Sequence, residues 1–394
     1  MSLSAQFDCW HESAMAATGL RDFGSDDYHA ALRLLLSDLD RYPRFNALGL
    51  STIAEQVTGL LVARLIRQSG LTQNPATLAT PILRPLFIVG MARTGTTALH
   101  RLIALDAQTQ SLPFWLGNIP MPRPPRETWD AHPLFQRVKQ ALEQSAFLNE
   151  ELRKVHPVDA DMPDECRWSI DQSFWSSTFA QTTRNPNYAA WYIDTDARYA
   201  YQYHRQTLCL VANGDTRRWI LKDPAHIFGM DALLAVFPDA CIVQMHREPL
   251  ACMRSIANLA WEVRRKHMEL DATMEETGTL LLENWAAGLR KMERVRAAHD
   301  PAQFLDLHID EFRADPVRAI ERIYEYFGFP VNDAALGAWR RQAEIDRAST
   351  HLAAGRAPDF GLTRERVNAL LGDYLERYWQ VTERAAHFTK GDHR

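Results

Sequence analysis

Cysteine is scarce in this sequence: five residues in 394, at positions 9, 166, 209, 241 and 252, with no paired spacing. That excludes a disulfide framework and a Cys-x-x-Cys metal or redox motif, and it points to reduced thiols in the cytoplasm. Also missing are a His-Glu-x-x-His pair and an acidic calcium loop, so no bound metal is expected. Apolar runs are interrupted by charge before eighteen residues, and Met1 to Asp8 has no basic lead into an apolar stretch. Neither a membrane span nor an export signal is expected. Positive charge is not in excess, since 44 Lys and Arg face 49 Asp and Glu for a net −5. A broad basic field for nucleic acid is therefore absent. What remains, 46% hydrophobic and 24% charged residues, suits an enzyme with a sizeable core and a small-molecule substrate.

The most informative stretch runs Leu86-Phe87-Ile88-Val89-Gly90-Met91-Ala92-Arg93-Thr94-Gly95-Thr96-Thr97. A short apolar run ending in glycine suits a central parallel strand, and Leu99, Leu102 and Ile103 repeat at helical spacing beyond it. A strand thus feeds a helix whose first N–H groups, near Gly95, point into the loop and favour an anion. Gly90 and Gly95 keep the spacing of a nucleotide-hydrolase phosphate loop, but Thr96 stands where that loop has lysine. The loop's cation is Arg93, with hydroxyls at Thr94, Thr96 and Thr97 as further donors. Farther on, Ala240 to Met245 reads as a second buried strand that ends in His246-Arg247-Glu248-Pro249. Ser255 falls about two turns into the next helix. A guanidinium and a hydroxyl make a phosphate pair.

Together the two motifs resemble the sulfotransferase superfamily, whose donor is 3′-phosphoadenosine 5′-phosphosulfate. Arg93-Thr94-Gly95-Thr96-Thr97 is similar to its 5′-phosphosulfate loop in the R-T-G-T-T form of a bacterial-type branch. Arg247-x-Pro249 with Ser255 is similar to its 3′-phosphate site. The resemblance covers roughly residues 84–330 and extends to Ala160-Asp161-Met162-Pro163-Asp164-Glu165-Cys166 and Leu221-Lys222-Asp223-Pro224-Ala225-His226. It implies an α/β fold of three layers, like that of the phosphate-loop proteins, with a central parallel sheet. It also gives Lys222 the task of stabilising the bridging oxygen of the leaving group. A sulfuryl group carries one charge where a phosphoryl carries about two, so fixed cations can stand in for magnesium.

The reaction implied is transfer of a sulfuryl group to a hydroxyl or amine, which needs a base for the acceptor's proton. His226, Glu165 and His156 are the candidates; the superfamily uses histidine in some members and glutamate in others. A metal-dependent small-molecule kinase, with Asp223 on magnesium, is the alternative, and a noncatalytic nucleotide-binding protein is a third reading. Aromatic residues crowd the segment from Trp168 to Tyr203: Phe174, Trp175, Phe179, Tyr188, Trp191, Tyr192, Tyr199 and Tyr201 lie between. They form either the core of a helical insertion at about 160–210 or an apolar acceptor pocket.

Residues 1–80 read as a helical N-terminal extension, 84–330 as the core, and 331–394 as a helical C-terminal segment. Prolines at 113, 120, 122, 124, 125 and 133 predict an extended, largely nonhelical loop bordering the acceptor. Trp219 to Leu221 and Phe304 to Ile309 read as further strands, and Asp315-Pro316 as a helix start. By the same resemblance, Arg356 or Lys390-Gly391 corresponds to an element that closes over the 3′ phosphate. Oligomeric state is not encoded in any visible pattern.

Overall fold

A computed structural model describes residues 2–144, 158–265, 270–348 and 358–380. His156, Arg356 and Lys390-Gly391 lie outside them. Five parallel strands, β1 (Leu86–Gly90), β2 (Thr109–Gln110), β3 (Arg218–Lys222), β4 (Cys241–His246) and β5 (Phe304–His308), form one sheet in the order β2-β3-β1-β4-β5. The predicted strands are all present. The two-residue β2 is too short to carry a pattern of its own.

Alternation along the strands splits the core between the two faces of the sheet. Phe87, Val89, Leu221 and Ile242 point to one side with Met253, Ile256 and Leu281. Leu86, Ile88, Ile220, Val243 and Met245 point to the other with Leu99, Ile103, Ile320 and Trp339. Helices therefore cover both faces, giving three layers. Helix α4 (Thr96–Ile103) leaves β1 toward β3, whereas the helix Pro249–Val263 leaves β4 on the opposite face. Between the carboxyl ends of β1 and β4 the chain changes direction, and open parallel sheets place their ligands at such a crevice.

Three N-terminal helices, α1 (Phe7–Thr18), α2 (Tyr28–Arg41) and α3 (Ala47–Gln73), join the first core. By length and composition α3 could cross a bilayer. Its arginines have other partners: buried Arg64 donates to the Gln172, Phe23 and Ser25 carbonyls, and buried Arg67 to Thr207 and the Tyr203 carbonyl. These bonds tie α3 to the aromatic segment. That segment folds into short helices, among them Ser177–Thr182, Pro186–Asp194 and Arg198–Ala212. Phe174, Trp175, Phe179, Tyr188, Tyr192 and Tyr201 are buried in the core, so the aromatic density mainly builds the insertion.

The proline-rich stretch is less extended than its composition suggests. It contains the helix Phe114–Asn118 and a 3-10 turn, Arg126–Ala131, with Pro113 capping the first and Pro133 starting the helix Pro133–Gln144. Proline stops a helix interior but suits its first turn, and here it marks starts. Asp315 caps the helix Pro316–Phe327 through the Arg318 N–H, as its sequence predicts.

Candidate active site

Neighbouring strands bring the two distant motifs together. β1 and β4 pair with Gly90 opposite Met245, so the loops that follow them emerge side by side. Arg247 Nη1 donates to the Arg93 carbonyl at 2.8 Å, and Arg93 Nε donates to Ser255 Oγ at 3.1 Å. Arg93 has φ +73, a region that costs a non-glycine residue about 1–3 kcal/mol. Burial, with the like charge of Arg247 alongside, pulls its guanidinium pKa below the ordinary value. Two adjacent guanidinium groups beside a helix N-terminus make a site that an anion would complete.

Within the loop the hydroxyls divide their work. Thr94 Oγ1 is fully buried and donates to the Met91 carbonyl at 2.8 Å, so Thr94 shapes the loop and only its backbone is left for a ligand. Gly95, at φ +94, starts α4. Thr96 is buried at the first position of that helix, and Thr97 Oγ1 accepts from Lys222 Nζ at 3.2 Å.

Lys222 ends β3, beside Ile88 of β1. Its ammonium also donates to Glu165 Oε1 at 2.8 Å. Backbone bonds explain how a residue so far along the chain arrives there. Phe114 and Trp115 donate to the Met162 and Ala160 carbonyls, and the Cys166 N–H donates to the carbonyl of Lys222 itself at 3.0 Å. Glu165 Oε2 accepts from Arg167 Nε at 2.7 Å. The carboxylate thus lies between two cations.

His226 is elsewhere. It lies in the 3-10 turn Pro224–Gly229, 1% exposed, with Nδ1 against the Tyr201 hydroxyl at 2.9 Å and its ring edge-on to Phe87. Burial, then His204, pushes its pKa well below the ordinary imidazole value. It lines a small cavity, with room for about one water, together with Arg167, Asp171, Trp175, Tyr192 and Asp223. Asp223 Oδ1 caps that 3-10 turn through the Ala225 N–H, and burial with Glu165 nearby raises its carboxyl pKa to about 7.

The sequence pattern of the Sulfotransferase family matches residues 85–333. The chain belongs to the sulfotransferase family. It is 34% identical to sulfotransferase STF1 from Mycobacterium tuberculosis H37Rv, whose crystal structure superposes with a TM-score of 0.84 over 95% of this chain and 100% of that one. Sulfotransferase STF9 from Mycobacterium avium is 26% identical, with a TM-score of 0.85 over 95% and 96% of the two chains. Omega-hydroxy-beta-dihydromenaquinone-9 sulfotransferase Stf3 of Mycobacterium bovis is 28% identical over 252 residues, or 62% of each chain. That match spans less than two thirds of the relative's length.

For this family member, sequence reasoning singled out Arg93, Thr96, Thr97, Arg247, Ser255, Lys222 and Glu165, and the fold gathers them at the ends of β1, β3 and β4. It overlooked Arg167. A cation two residues after Glu165 was visible, but a charged residue among aromatics reads as solvated until the turn is known.

Proposed function

We propose that this chain transfers a sulfuryl group from 3′-phosphoadenosine 5′-phosphosulfate to the hydroxyl of an apolar small molecule, working in the cytoplasm. The observation that carries the reading is the contact of Arg247 with Arg93, which joins the site assigned to the 3′ phosphate to the 5′ loop. The donor set fits an anion at each end: Arg93 with the N-terminus of α4, and Arg247 with Ser255. Lys222, beside Thr97, supplies a proton donor for the bridging oxygen. The sulfur–oxygen bond to the phosphate breaks as the bond to the acceptor oxygen forms, and the hydroxyl proton passes to a base.

Glu165 suits the base better than His226. It touches Lys222, the side chain assigned to the leaving group, whereas His226 is bonded to Tyr201 and buried. An apolar acceptor is supported by the name of the Stf3 relative, which carries a menaquinone. Four of the five cysteines are buried free thiols, which supports a reducing compartment.

Two measurements test this. Adenosine 3′,5′-bisphosphate should stabilise the protein to heat without magnesium; stabilisation by ATP only with magnesium would instead indicate a kinase. Glu165→Gln should keep that binding and lower turnover about 10²–10⁴-fold, the usual span for a lost general base. Full turnover in Glu165→Gln would rule out this assignment of the base.

A further inference from the structure

We infer that Arg167 is the positioning residue that holds Glu165 as an aimed carboxylate throughout transfer, a role that rests on Glu165 being the base. The physical problem is that Lys222 cannot serve two partners equally. In the free protein its ammonium bonds Glu165 Oε1, yet the same ammonium is needed on the leaving group. When it turns to that oxygen, Glu165 loses that ammonium at the moment it must receive a proton.

Arg167 keeps its own hold on the carboxylate. Its Nε bonds Glu165 Oε2 at 2.7 Å, a different oxygen from the one Lys222 uses. The guanidinium is fixed from other directions as well. Nη1 donates to Thr178 Oγ1 at 3.1 Å, and that hydroxyl donates to Asp171 Oδ2 at 2.7 Å. Its Cζ lies 3.7 Å from the ring centroid of Trp168, within cation–π range. The indole Nε1 of Trp168 donates to Asp164 Oδ1, which also accepts from the Glu165 N–H. Arginine, indole, Asp164 and Glu165 therefore form a closed ring of contacts, and the carboxylate is tethered by its backbone and its side chain together.

Chemically the arrangement divides the two cations by task. Oε1, next to Lys222, is the oxygen that becomes free for the acceptor's proton when Lys222 turns away; Oε2 stays on Arg167. Glu165 faces the cations Arg167, Lys222 and Arg101 and the carboxylates of Asp164 and Asp223; a neighbouring cation favours the ionised form of a carboxylate, so taking Arg167 away tips that balance toward protonation. The same side chain borders the cavity shared with Asp171 and His226.

The test is a pH–rate profile of the full-length protein with a hydroxyl acceptor on which the wild type turns over. Arg167→Met should lower kcat roughly ten- to a hundredfold, the scale of a misplaced catalytic group. It should leave the Kd for adenosine 3′,5′-bisphosphate within about twofold. The acid limb of kcat should move to higher pH, because removing a cation makes the carboxylate easier to protonate. Arg167→Lys should recover part of the rate and return the limb toward its original position. Thr178→Val, a smaller change, should move the limb the same way by less.

A purely structural arginine would change heat stability and leave the limb in place. Arg167→Met with normal kcat and an unmoved limb, while Glu165→Gln is inactive, would overturn this inference alone. Activity in Glu165→Gln would remove the reading beneath it. If Arg167→Met does not fold, an unmoved limb in folded Thr178→Val counts against the proposal.

Discussion

Gly90 and Gly95 are the residues on which the proposed donor loop depends, each for a different steric reason. Gly90 has φ +132, and a Cβ there would collide with the Met245 carbonyl oxygen of the adjacent strand. At Gly95 a Cβ would stand 2.5 Å from Ile309 Cδ1, the end of a flexible side chain that can give way. Gly90→Ala should therefore destabilise the fold by about 1–3 kcal/mol, from backbone strain together with the clash. Gly95→Ala should cost less stability and act mainly on donor binding. Urea midpoints and calorimetry would separate the two, and equal midpoints for wild type and Gly90→Ala would contradict the steric account. Both glycines were legible in the sequence because a strand feeding a loop and then a helix demands such backbone. Arg167 was not, because its meaning depends on Thr178, Trp168 and Asp171 closing around it.

At the scale of elements, the end of β4 is held by the C-terminal helix Arg364–Leu375 and the turn after it. His246, one residue before Arg247, has Nδ1 at 2.8 Å from the Tyr374 hydroxyl and Nε2 at 2.8 Å from Asp306 Oδ1 on β5, and Tyr378 stacks on its ring. Arg296 adds two bonds to Asp306. Burial works to raise the Asp306 pKa, but hydrogen bonds from His246 and Arg296 prevail and hold it well below the ordinary carboxylate value. A depressed folded-state pKa gives stability that is fully present above the unfolded value, about 3.9, and is lost as pH falls below it. Asp306→Asn should accordingly be less stable than wild type at pH 7, with the gap closing below about pH 4. Denaturation curves across that range check it; a gap as wide at pH 2 as at pH 7 would mean the loss is one of packing rather than charge. Strands β1, β3, β4 and β5 were readable from apolar runs. This clamp was not, since no local pattern links position 246 to positions 306 and 374.

For the whole molecule, the charge balance and the site have opposite signs. The chain carries a net −5, yet Arg93, Arg247 and Lys222 meet at one crevice, so attraction for a polyanionic nucleotide is local rather than global. Screening at about 0.5 M salt shortens the Debye length to a few ångströms. Binding of adenosine 3′,5′-bisphosphate should weaken steadily between about 0.05 and 0.5 M potassium chloride, and Arg247→Ala should flatten that dependence. Titration calorimetry reads both, and salt-independent binding by the wild type would deny the cations their proposed part.

By itself the sequence determined the class of fold and the strand, glycine-bounded loop and helix start around Arg93, because these depend on short-range rules: strand alternation, glycine at positive φ, and helix starts; the reading of Arg247 with Ser255 came from the family resemblance. It also determined that the loop's cation is arginine rather than lysine. Only the tertiary structure decided the partners. Parallel pairing of β1 with β4 set Arg247 on Arg93, the bond from Cys166 to Lys222 carried Glu165 to the lysine, and burial against Tyr201 drew His226 away from the loop. Those outcomes depend on which distant segments share a surface, and residue spacing along one chain carries no record of that.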